Sequence, residues 1–134
     1  MIGKPSSEEI NAIFETMPIE FSVLDKDDKV LAWNKHQTRI FKRPESSLGE
    51  NVRNCHPSKS LDKVEKIISE MKAGKRETAS FWIDLPIGEN NEKNKVLIQY
   101  FALRNTKGEY IGCLEASQNI TPIQEIKGEK RLLD

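Results

Sequence analysis

The hydrophobic period changes several times along the chain, and each change predicts an element. Ile10, Ile13, Phe14 and Met17 recur at helical spacing. They follow Ser6-Ser7-Glu8-Glu9, a capping box in which Ser6 caps the helix and Glu9 reaches back to it. The predicted helix stops at Pro18. So short a helix is marginal alone, so its stripe must pack on this domain's own sheet or on a second copy. Phe21 to Leu24 then reads as a strand, Asp25-Lys26-Asp27-Asp28 as a turn, and Lys29 to Trp33 as a returning strand, giving a hairpin over residues 20–34. Asn34 is placed to cap a short helix carrying His36, Ile40 and Phe41 and ending before Pro44. Residues 45–57 are irregular, with Leu48, Gly49 and Val52 as anchors.

Beyond Ser58 and Ser60, both able to cap, Leu61, Val64, Ile67, Ile68 and Met71 form one face of a longer amphipathic helix, and Gly74 suits the left-handed position after it. Thr78 to Leu85 predicts a strand and residues 86–94 a polar loop. Lys95 to Arg104, rich in Val, Ile, Tyr and Phe, predicts the longest strand. Asn105-Thr106-Lys107-Gly108 turns it into a last strand, Tyr110 to Ser117. Ile123, Ile126, Leu132 and Leu133 recur at helical intervals in a charged tail. The expected layout is therefore an N-terminal amphipathic helix (1–18), a central domain (19–121) and a helical linker (122–134) toward an output module beyond Asp134. The order of elements predicts an α+β fold, one antiparallel sheet with helices on one face.

At 134 residues, with 37% hydrophobic and 31% charged, the chain can bury one moderate core. Lys and Arg balance Asp and Glu at 21 each, which argues against a nucleic-acid binder. No apolar run is long enough to span a membrane, and the start lacks the apolar core of a secretory signal. Two cysteines, Cys55 and Cys113, make no disulfide framework. A cytoplasmic domain is expected.

Several segments together are distinctive. Phe21-Ser22-Val23-Leu24-Asp25 with Val30-Leu31-Ala32-Trp33-Asn34, then Glu45-Ser46-Ser47-Leu48-Gly49-Glu50-Asn51-Val52, then Asn105 to Gly112, and finally Gln118-Asn119-Ile120-Thr121, resemble in order and spacing the opening hairpin, the turn before the long helix, the last hairpin and the sheet exit of a PAS domain. Asn119 stands where that family usually carries Asp. A narrower resemblance, to the PAS module of bacterial proteins that also carry DUF438 and hemerythrin-like segments, rests on Arg39-Ile40-Phe41-Lys42-Arg43, Asn54 to Ser60, and Gly128 to Leu133. The resemblance implies a five-stranded antiparallel sheet in the order 2-1-5-4-3, cupping a pocket for a small molecule. It also implies a sensory role and a homodimer, in many relatives formed through the N-terminal helix.

Candidate chemistry centres on Cys55-His56-Pro57. One reading is axial ligation of haem by His56, Cys55 or the more distant His36. Another is redox sensing at Cys55. The third is structural: Pro57 fixes the loop, His56 bonds a carbonyl and Cys55 packs. Four zinc ligands at metal spacing are lacking. Neighbouring Cys55 and His56 point apart on an extended chain, so they make no nucleophile–base dyad. No acid–base pair is legible, which predicts a non-catalytic module. On the longest strand Val96, Ile98, Tyr100 and Ala102 share one face and Leu97, Phe101 and Leu103 the other, so both sheet faces need cover. The expected inward residues, and hence ligand contacts, are Ile40, Phe41, Val52, Val64, Ile68, Met71, Trp82, Ile98, Tyr100 and Leu114. Trp82 and Tyr100 each have a polar tip to offer a ligand.

Overall fold

The computed structural model describes residues 1–55 and 58–133. Helix α1 runs Ser7–Thr16. Ser6 Oγ accepts from the Glu9 N–H at 3.1 Å and Glu9 Oε1 from the Ser6 N–H at 3.0 Å, so the box satisfies two otherwise orphaned donors. Strands β1 (Glu20–Asp25) and β2 (Val30–Trp33) form the expected hairpin, with Asp25 Oδ1 accepting from the Asp27 and Lys29 amides inside the turn. Asp28 faces inward from this turn, and Arg53 and Lys72 both donate to its Oδ2.

The helix expected after Asn34 does not form. Residues 36–38 make a single turn, and the chain continues irregularly to Pro44. Asn34 is 2% exposed. Its Oδ1 accepts from the Phe21 N–H at 2.7 Å, and its Nδ2 donates to the Phe14 and Ile19 carbonyls at 2.6 and 3.0 Å. Three backbone groups distant in sequence thus take the side chain that local capping would have used. Leu48, expected as an anchor, is exposed, whereas Val52 is fully buried.

Helix α2 (Ser58–Lys72) buries Val64, Ile68 and Met71, and Gly74 follows at φ 74°, which a side chain would strain. Strands β3 (Thr78–Leu85), β4 (Asn94–Arg104) and β5 (Tyr110–Asn119) complete an antiparallel sheet in the order β2-β1-β5-β4-β3. Gly112 lies where β5 crosses the Leu24 carbonyl, with no room there for a Cβ. Helix α3 is one turn, Thr121–Gln124, tied to the sheet by the Lys95 N–H donating to Thr121 Oγ1. Residues 125–133 carry no helix, so the tail's helical spacing is not realised beyond that turn.

Register decides which side chains face the core. Pairs Phe81↔Ile98↔Ser117 and Ala79↔Tyr100↔Glu115 lie on one face, and Trp82↔Leu97↔Gln118 and Phe101↔Leu114↔Val23 on the other. The inner face supplies Leu24, Val96, Ile98, Tyr100 and Cys113 to a core closed by Val30, Val52 and α2. At the β1 end of the outer face the Phe14 ring meets Phe21 edge-on, with centroids 5.2 Å apart. Helix α1 buries none of its own residues there, leaving Ile13 and Phe14 half exposed.

Candidate ligand cavity

A cavity of about 1060 Å³ opens between the inner face of β3, β4 and β5, the segment 40–47 and the start of α2. Ile40, Phe41, Val64, Ile67, Phe81, Ile83 and Ile98 give it apolar walls. Each wall follows from a pattern in the chain: the α2 residues from helical spacing, and the strand residues from alternation on the inner face. Phe81 and Tyr100 stack at 5.7 Å with 27° between their planes, and the Phe81 ring is the exposed member of the pair. Exposed Lys42 and Lys63 border the cavity, as do Ser47, Asn54, Cys55 and Ser60.

One end of the cavity is polar and buried. Arg43 donates from Nε to Ser22 Oγ at 3.1 Å and from Nη2 to Glu115 Oε2 at 3.2 Å, and Tyr100 is the cross-strand neighbour of Glu115 on the inner face. Burial, reinforced by the Glu115 charge, drives the Tyr100 phenol well above its ordinary range, so it stays a protonated donor. Ser22 Oγ also accepts from Arg39 Nη2. Arg39, 5% exposed, donates further to the carbonyls of Phe41, Phe21 and Asn34. Burial lowers its pKa, partly offset by Glu20. Glu20 itself accepts the Ile40 and Phe41 amides at 2.6 and 3.0 Å, clamping the wall segment onto β1. Removing either partner of such buried pairs leaves a charge without compensation, at a cost of about 3–5 kcal/mol.

The expected ligand contacts divide. Phe41, Cys55, Val64, Ile98 and Tyr100 border the cavity. Ile68 and Met71 lie in the core beside it. Leu114 is on the outer face, because β5 turns Cys113, Glu115 and Ser117 inward instead. Trp82 borders the cavity at the β3 edge, but its register places it on the outer side and it is 62% exposed. His36 is turned away: its Nδ1 accepts from Trp33 Nε1 at 3.0 Å, and it is not among the residues lining the cavity. His56 lies outside the described residues. Arg43 and Glu115, which the sequence reading missed, form the polar end. Glu115 alternates with Cys113 and Ser117, and a lone carboxylate at an inward strand position is the signal that marks it. Among the described residues no three His, Cys, Asp or Glu side chains converge on a metal position, and no helix is long and apolar enough to cross a membrane.

A five-stranded antiparallel sheet cupping a lined cavity against short helical segments defines an α+β module of sheet and helices. The chain belongs to the PAS domain family, whose sequence model matches residues 10–121. It is similar to the crystal structure of a C-terminal domain from Streptococcus mutans, at 32% identity, 95% of this chain and 94% of that one, and TM-score 0.83. The PAS domain of BvgS from Bordetella pertussis shares the fold at 17% identity, 85% of each chain and TM-score 0.61. VqmA bound to DPO shares it at 14% identity, 88% of this chain, 59% of that one, and TM-score 0.61. No curated protein matches the chain in sequence.

Proposed function

We propose that this PAS domain is a non-catalytic cytoplasmic sensor that binds a small molecule in the cavity and works as a homodimer. One observation carries the reading: a cavity with apolar walls ends in a buried, hydrogen-bonded Arg43–Glu115 pair beside Tyr100. An apolar pocket with a few convergent polar groups is the usual form of a small-molecule site. VqmA, which shares the fold, has been seen with DPO bound. Dimerisation is supported by the half-exposed Ile13 and Phe14 on α1, beside a shallow apolar groove at Ala12, Met17 and Pro18. The DUF438/hemerythrin context is the setting we propose for the module. Native mass spectrometry of the purified protein tests the binding claim. A non-covalent adduct is expected on the wild type, and its loss in Ile67→Trp, which fills the cavity from a partly exposed wall. An adduct retained in full by that variant places the ligand elsewhere.

A haem reading is favoured by the placement of Cys55 at the cavity border, where its thiolate would supply the axial ligand. Titration with haem should then give a sharp Soret band that moves in Cys55→Ala, with His56→Ala run alongside. A broad band like that of free haem, unmoved in both variants, refutes that reading.

A further inference from the structure

We propose that the cavity selects a small, neutral, flat molecule that presents a neighbouring hydrogen-bond donor and acceptor, a carboxamide or cyclic-amide edge, to Arg43 and Glu115. The proposal rests on the reading that this cavity binds a ligand. The two side chains are 10% and 15% exposed, 3.2 Å apart, and both line the cavity. Arg43 spends Nε on Ser22 and one Nη2 proton on Glu115, and among the described residues nothing accepts from its Nη1. Directly behind, Arg39 and Glu20 form a second buried pair 4.0 Å apart, and Arg39 shares the Ser22 hydroxyl with Arg43. Two cations and two anions therefore leave this end of the cavity neutral.

That balance determines what can enter. A carboxylate that reaches Arg43 meets the Glu115 charge, and an ammonium or amidinium that reaches Glu115 meets Arg43. Either one leaves the buried end with a net charge in a poorly solvated place. An amide edge gives its carbonyl to Arg43 and its N–H to Glu115 without disturbing the balance. Lys42 and Lys63 attract anions toward the mouth, but both are exposed and screened by solvent and salt. The exposed Phe81 ring, backed by Tyr100, favours a planar body stacked on it.

Benzamide, benzoate and benzamidinium share one shape and differ in charge. Their dissociation constants are to be measured by amide NMR titration at pH 7, with indole as an uncharged probe lacking the amide edge. Benzamide is expected to bind at least about tenfold tighter than either ion. Glu115→Gln should move the preference to benzoate, and Arg43→Gln to benzamidinium. The amide spectrum of each variant reports whether it folds, and the wild-type ranking decides if neither does. An ion that binds the wild type as tightly as benzamide overturns the proposal, as does an unchanged ranking in folded variants. If indole shifts the amides around Ile67 and Ile98 while benzamide does not, the ligand class is wrong and the cavity still binds. If neither probe shifts them, the binding reading fails and this proposal fails with it.

Discussion

Replacing Asn34 with Ala removes the side chain that joins α1 to the sheet, and the structure gives the size of the effect. Asn34 Oδ1 accepts from the Phe21 N–H, and Nδ2 donates to the Phe14 and Ile19 carbonyls. Phe21 is 9% exposed, so its N–H loses a partner in a place water reaches poorly, at a cost of about 1–3 kcal/mol. The two carbonyls belong to α1 and its connection to β1. They regain water if the helix lifts away, so each loses only about 0.5–1.5 kcal/mol. Together these amount to about 2–6 kcal/mol, a large part of the ~5–15 kcal/mol that holds a typical domain. Urea unfolding followed by the fluorescence of Trp33 and Trp82 measures the loss. Hydrogen exchange supplies the second readout: amides of α1 should exchange faster in Asn34→Ala, while those of α2 keep their protection relative to global stability. A loss below about 1 kcal/mol with unchanged α1 protection would refute the reasoning.

Burial, with help from the Glu115 charge, pushes the Cys113 thiol up to about 12. The unfolded thiol ionises near its ordinary value of ~8.5, so unfolding releases a proton above that pH. Stability is therefore whole below about pH 8.5 and falls by about 1.4 kcal/mol per pH unit as pH rises toward 12. Cys113→Ala should remove this slope between pH 8.5 and 10, before the raised Tyr100 and Tyr110 phenols contribute; an equal slope in that variant contradicts the assignment. Met71→Ala empties a fully buried site beside Cys113, with its Sδ 3.8 Å from the thiol, and should cost about 2–5 kcal/mol in urea. Gly112→Ala drives a Cβ into the Leu24 carbonyl across the β1–β5 pairing and should cost about 1–3 kcal/mol, visible as a lower Tm. A wild-type Tm in Gly112→Ala would mean the two strands sit farther apart.

Much of this architecture is legible in the chain because the signals are local. The Ser6–Glu9 box, the Asp25 turn, the α2 stripe and Gly74 each act within a few residues. Asn34 misled for the same reason. Its side chain serves a helix cap and a long-range backbone bracket equally well, and only the fold brings the Phe14, Phe21 and Ile19 groups to it. Alternation on β4 separates its two faces, and Ile98 and Tyr100 do face inward. On β5 the inward positions carry Glu115 and Ser117 while Leu114 and Ala116 face out. Reading apolar as inward therefore inverts that strand and selects Leu114. Trp82 sits on edge strand β3, where register with Leu97, rather than composition, settles the side. The polar end escaped notice because Arg43 and Glu115 are 72 residues apart and mark a site only once paired.

The central claim, that this cavity takes a ligand, is tested most directly by methyl NMR of the isoleucines. Ile40, Ile67, Ile83 and Ile98 line the cavity, whereas Ile111 and Ile126 lie exposed elsewhere. Titration with benzamide should shift the four cavity methyls along one saturating curve and leave Ile111 and Ile126 in place, and Ile67→Trp should abolish the shifts at the remaining three. Shifts centred on Ile111 or Ile126, or no saturable shift at the four lining methyls with either benzamide or indole, would contradict the account.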